Sequence, residues 1–65
     1  MILTYKEAER NTKYLFETRK IDEIKYRMWI SEIYRWGRDC EYEIVEYLPG
    51  QWEMKPIPLM QIGYR

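Results

Sequence analysis

The chain has 65 residues, with 11 Lys/Arg balanced by 11 Asp/Glu, no histidine and one cysteine, against three tryptophans, seven tyrosines and one phenylalanine. A domain of this size buries only about 60% of the surface its unfolded chain exposes, so its core is marginal without a staple. Cys40 has no second cysteine to pair with and no histidine is present to complete a zinc set, so disulfide and zinc staples are excluded and association with other chains is the remaining aid.

Thr4-Tyr5-Lys6-Glu7 has the form of a capping box, with the threonine hydroxyl and the glutamate carboxylate each satisfying the other's backbone amide. A helix is predicted over about 5–19, with Tyr5, Ala8, Thr12, Leu15 and Phe16 on one side and Lys6, Glu9, Arg10, Lys13 and Glu17 toward water. No glycine or proline interrupts the chain before Gly37, yet Ile21-Asp22-Glu23-Ile24-Lys25-Tyr26 reads as a second start. Asp22 is its N-cap, Glu23 suits the positive helix end, and Ile21 with Tyr26 forms a hydrophobic staple. A tight turn and a second helix over about 23–36 follow from this. The stretch Leu15 to Ile30, with Lys20-Ile21-Asp22-Glu23 followed by Tyr26, resembles the turn of short helical hairpins, including the SHOCT-type modules of bacterial proteins. The likeness is confined to that stretch, lacks the glycine usual in the turn, and implies a hairpin rather than a function.

The second helix carries an apolar side of Tyr26, Trp29, Ile30, Ile33, Tyr34 and Trp36, and Gly37 supplies its stop. Beyond Gly37 the period becomes alternating: Tyr42, Ile44 and Val45 lie among Glu41, Glu43 and Glu46, before the turn Leu48-Pro49-Gly50-Gln51. This predicts a β-hairpin with strands over about 41–47 and 52–57. Pairing Tyr47 with Trp52 and Val45 with Met54 places all four on the face that covers the helices, with Trp52 closing the core. On the reverse face Glu46 then meets Glu53, with Lys55 diagonal to them. Pro56 and Pro58 hold their segment extended and bar it from a central strand. In the tail, 58–65, the alternating Met60, Ile62 and Tyr64 predict an edge strand or a segment that docks on another subunit, so these three are the expected oligomer contacts. The expected fold is a single α+β domain over 1–65: an N-terminal helical hairpin packed on a C-terminal antiparallel β-hairpin, with a third edge strand.

The charges separate along the chain. Residues 1–38 carry nine basic and six acidic side chains, net +3, whereas residues 39–65 carry two and five, net −3. Ordinary surface charge accounts for such a dipole, and so does head-to-tail or antiparallel pairing of subunits. The opening Met-Ile-Leu-Thr-Tyr-Lys-Glu lacks a secretory apolar run and no stretch approaches transmembrane length, so a cytoplasmic protein without membrane contact is expected, in the host cytoplasm if phage-encoded.

Catalytic equipment is sparse. Gly37, Gly50 and Gly63 are too scattered for a phosphate loop, Cys40 has no histidine to activate it, and Asp39, Glu41, Glu43 and Glu46 lack calcium-loop spacing. No enzyme, cofactor or metal is expected. The constellation that stands out is on the second helix: Arg27, Ser31, Arg35 and Arg38 recur at intervals of four, four and three, flanked by Ile24 and Met28 away from the apolar side. These six are the candidate partner-binding or anion-binding residues, set against a plain solvated face whose arginines pair with Glu23 and Glu32. Tyr14 is a lesser candidate. The leading reading is a small homo-oligomeric protein that binds a protein partner stoichiometrically, in the style of phage and mobile-element inhibitors of host defence systems. A second reading is an oligomeric sponge in which the arginines and aromatic rings clamp a nucleotide-like anion. A third, a DNA-binding regulator using the second helix, is disfavoured by the neutral net charge.

Overall fold

The computed structural model describes residues 2–59. Strand β1 (Ile2–Leu3) leads into helices α1 (Tyr5–Glu17) and α2 (Glu23–Trp36); a 3-10 turn, Gly37–Asp39, then enters strands β2 (Cys40–Leu48) and β3 (Gln51–Pro58). The strands form one antiparallel sheet in the order β1-β2-β3, giving the α+β arrangement of a helical hairpin on a β-hairpin with a third strand. That third strand is N-terminal: Ile2 lies opposite Glu43 and Leu3 opposite Tyr42. The tail residues Met60, Ile62 and Tyr64 lie outside the described residues.

Local chemistry sets the helix ends. The capping box forms, Glu7 N–H donating to Thr4 Oγ1 at 3.4 Å and Thr4 N–H donating to Glu7 Oε1 at 3.0 Å. The first helix stops at Glu17, short of the predicted 19, because the chain closes into a Schellman turn. Lys20 N–H donates to Leu15 O at 2.8 Å, Arg19 N–H donates to Phe16 O at 3.0 Å, and Arg19 adopts the left-handed φ of 63°. Asp22 then caps α2 by accepting from Lys25 N–H at 2.8 Å. Buried Ile21 sits beneath this turn, and Phe16 stacks on Tyr26 with centroids 4.4 Å apart, fastening the two helices where they join.

The core lies between the helices and one face of the sheet. Ala8, Thr12 and Leu15 from α1 and Trp29 and Ile33 from α2 meet Leu3, Cys40, Tyr42 and Ile44, with half-buried Trp52 and Met54 at the side. Tyr42 is wholly buried, and its hydroxyl donates to Gly37 O at 2.6 Å with Ile33 O 3.2 Å away, which ties the end of α2 to the sheet. Burial, reinforced by the nearby Cys40 and Tyr5, pushes this phenol up to about 12. Tyr34 and Trp36, expected on the apolar side of α2, are exposed instead. Tyr34 lies to one side of the Trp29–Ile33 line and turns outward to donate to Glu9 Oε2 at 2.7 Å, whereas Trp36 continues the line as the last residue of α2 and borders a groove beside Pro58 and Leu59.

The hairpin register also differs from the expected one. Glu46, not Tyr47, lies opposite Trp52; Val45 faces Glu53 and Ile44 faces Met54, because the ladder is irregular between Glu46 and Leu48 and leaves Tyr47 over as a bulge. The cause is the turn. Pro49 followed by Gly50 at φ 78° is the pairing of a type II turn, whose twist does not match that of the flanking strands, and the bulge absorbs the mismatch. Glu46 consequently does not meet Glu53; its carboxylate accepts from Gly50 N–H at 2.9 Å. Since one residue of slip exchanges the faces, Val45 and Tyr47 leave the core side, and Tyr42 and Ile44 take their places beside Trp52 and Met54.

Candidate functional site

A helix packed on one sheet face must turn its opposite stripe to solvent, and on α2 that stripe is unusually apolar. Ile24 is 71% exposed and Met28 62%, both at the spacing that places them on one line with the exposed Ser31 and Arg35. From Ile24 to Arg35 the line runs about 16 Å at the helical rise per residue. Arg27 lies beside it and is held by Glu23, Nη2 to Oε2 at 2.8 Å, an exposed i,i+4 pair worth only about 0.3–0.5 kcal/mol. Arg35 makes no ion pair among the described residues. Five of the six residues read from the sequence, Ile24, Arg27, Met28, Ser31 and Arg35, thus share one solvent-facing patch.

Arg38 does not join them. Gly37, at φ 60°, ends the helix and redirects the backbone, so Arg38 falls in the 3-10 turn and places its guanidinium 5.4 Å from the centroid of the Tyr5 ring. It lines a groove of about 550 Å³ together with Trp36, Asp39, Cys40, Pro58 and Leu59. The Cys40 thiol beside this groove is buried, and burial first and the Asp39 charge second push its pKa up, so the protonated, weakly nucleophilic form is the one held there.

Two further surfaces were not singled out from the sequence. Between the helices, on the solvent side, a groove of about 310 Å³ is lined by Glu9, Arg10, Lys13, Tyr26, Ile30 and Tyr34. The Tyr34 phenol in it is raised in pKa, chiefly by its bond to the Glu9 carboxylate and then by that group's charge. The other is the sheet face turned away from the helices, where Glu41, Glu43 and Glu53 lie among Ile2, Val45, Lys55 and Ile57. The signal for this face was present in the alternation of β2, but it was assigned to the wrong parity near the turn.

Among the described residues no helix is long and apolar enough to cross a membrane, and no three His, Cys, Asp or Glu side chains are grouped as metal ligands would be. A scan of protein-family models and searches of curated proteins and solved structures found no match to this chain.

Proposed function

We propose that this is a small non-catalytic binding protein that acts by occupying a protein partner through the outer stripe of α2. The observation that carries the reading is the exposure of Ile24 and Met28 on one line with Arg35 and beside Arg27, apolar side chains on a helix face bordered by both charges, with Glu23 paired to Arg27 and Glu32 on the other flank. Such a stripe is the helix-in-groove form of recognition, with anchors at i, i+4, i+7 and i+11. Stoichiometric inhibition inside a cytoplasm, of the kind phages and mobile elements direct against host defence systems, is the mode of action that fits a chain this short and this rich in aromatic residues.

Immobilised protein should capture a defined partner in a fixed ratio. Met28→Asp should abolish capture while leaving the far-ultraviolet spectrum and melting temperature close to wild type, because surface changes away from packing cost little. Capture undiminished by both Met28→Asp and Ile24→Asp overturns the reading.

One observation favours a nucleotide-like anion as an alternative ligand: Arg38 and the exposed Trp36 line the same groove, a cation beside a stacking surface. Tryptophan quenching by a nucleotide, lost in Arg38→Ala, tests it. The three arginines of the sequence pattern do not converge, since Arg27 is turned to Glu23 and Arg38 to Tyr5.

A further inference from the structure

The structure converts the charge separation along the chain into a separation between two opposite faces. The helix layer comes from the basic part and turns Arg10 and Lys13 of α1 and Arg27 and Arg35 of α2 outward, with Tyr14, Ile24 and Met28 exposed among them. The exposed carboxylates of the two helices and their turn are Glu7, Glu17, Asp22, Glu23 and Glu32, against exposed Lys6, Arg10, Lys13, Arg19, Lys20, Arg27 and Arg35. Glu7 and Asp22 are taken up by helix caps and Glu23 by Arg27, so the layer keeps a basic excess with Glu32 beside the stripe.

On the other side lies a sheet face that no helix among the described residues covers, since α1 and α2 pack on the side of Cys40, Tyr42 and Ile44. Its cross-strand rows are Glu41 with Ile57, Ile2 with Glu43 and Lys55, and Val45 with Glu53. That face holds three carboxylates against one ammonium, interleaved with three apolar side chains, of which Ile2 is 49% exposed.

We infer that the outer sheet face of one copy is covered by the helix layer of a second, α2 foremost. This rests on the reading of α2 as a contact surface and names the chemistry that the surface recognises: an apolar β-face studded with carboxylates, which each copy carries on its back. The alternatives within one chain type are disfavoured by charge. Sheet face on sheet face brings two acidic surfaces together, and helix layer on helix layer brings two basic ones together. Pairing along the β3 edge is blunted, because Pro56 and Pro58 have no N–H to offer and Lys25 Nζ already donates to Trp52 O at 3.0 Å. Helix layer on sheet face satisfies both charge and apolar surface, and it completes the α/β/α sandwich in which a sheet is buried on both sides. The contact is heterologous: every copy added presents one free face of each kind, so assembly proceeds to a stack or a closed ring rather than stopping at a symmetric dimer.

The experiment measures mass by sedimentation velocity for the whole chain and two surface variants, Arg27→Glu with Arg35→Glu on the helix side, and Glu43→Lys with Glu53→Lys on the sheet side. Wild type should gain mass as concentration rises, roughly twofold or more, and lose it at high salt. Each variant alone should be monomeric, and an equimolar mixture should regain mass, because each supplies the face the other lacks. Gln replacements at the same positions serve where a reversal perturbs the circular dichroism. A wild type that stays monomeric at high micromolar concentration and low salt overturns the inference. So does a variant that assembles as wild type does, the mark of a symmetric interface, or a mixture that stays monomeric. The reading of α2 fails separately: it falls if the Met28→Asp and Ile24→Asp chains still capture the protein partner, whatever the mass of the wild type.

Discussion

Tyr42→Phe removes one oxygen atom from the centre of the molecule, and the structure specifies what that atom does. The ring is fully buried and stays so in phenylalanine, so no cavity opens and apolar burial is unchanged. What is lost is the hydroxyl bond to Gly37 O at 2.6 Å and the approach to Ile33 O at 3.2 Å. These two carbonyls differ in what remains to them. Ile33 O keeps the N–H of Gly37, which donates to it at the helix end, while Gly37 O loses the side-chain donor that served it. The expected cost is therefore that of one carbonyl left short in a partly buried place, about 1–2 kcal/mol. A domain of this size is stable by only a few kcal/mol, so the change is large in effect. Urea unfolding followed by tryptophan fluorescence should show a lower midpoint with an unchanged slope. The same pair of proteins should differ in alkali. A phenol at about 12 in the folded chain against 10 unfolded stabilises the fold fully below pH 10, and that contribution is lost as pH rises from 10 toward 12. Wild type should therefore lose stability over this window more steeply than Tyr42→Phe. Equal midpoints at neutral pH, or parallel decline of the two proteins in alkali, would refute the assignment of this hydroxyl as the tie between α2 and the sheet.

Arg19→Gly should stabilise the fold by about 0.5–1 kcal/mol, because the left-handed φ of 63° strains any residue with a Cβ and the relief exceeds the added entropy of the unfolded glycine; a lower melting temperature would count against the Schellman turn. Thr12 is wholly buried and its hydroxyl has no partner among the described residues, so the isosteric Thr12→Val should be neutral or stabilising by about 1 kcal/mol, read from the urea midpoint. Cys40 should react with an aromatic disulfide reagent only when the chain opens, so its labelling rate should rise with urea in step with global unfolding; rapid labelling in native buffer would place the thiol outside the core.

Much of this fold was legible because several local signals agreed. The capping box at Thr4, the N-cap at Asp22 and the change of period after Gly37 each name an element end through bonds the backbone must make, and each is found in the structure. The Schellman turn was not legible, since it places an arginine where glycine or asparagine is the usual sign. Strand β1 escaped for another reason: two residues show no period, and only their pairing with Tyr42 and Glu43 makes them a strand. On the candidate site, helical spacing brought Ile24, Arg27, Met28, Ser31 and Arg35 together correctly, but carried Arg38 past the glycine that ends the helix.

The bulge at Tyr47 shows how two correct local readings can conflict. Counting back from the turn in a regular ladder puts Val45 and Tyr47 inside with Met54 and Trp52, and this parity would also put Glu41 and Glu43 beneath the helices and Tyr42 and Ile44 in water. Counting forward from Cys40 gives the reverse, with Cys40, Tyr42 and Ile44 inside. Burying two carboxylates under a layer of apolar side chains costs far more than a local break in the ladder, so the forward count prevails and the mismatch collects in one unpaired residue beside the turn. That same residue decides the chemistry of the far face. By keeping Glu41, Glu43 and Glu53 on the side away from the helices, the bulge creates the acidic β-surface that opposes the basic helix layer, and the two-sided molecule follows from a single extra tyrosine.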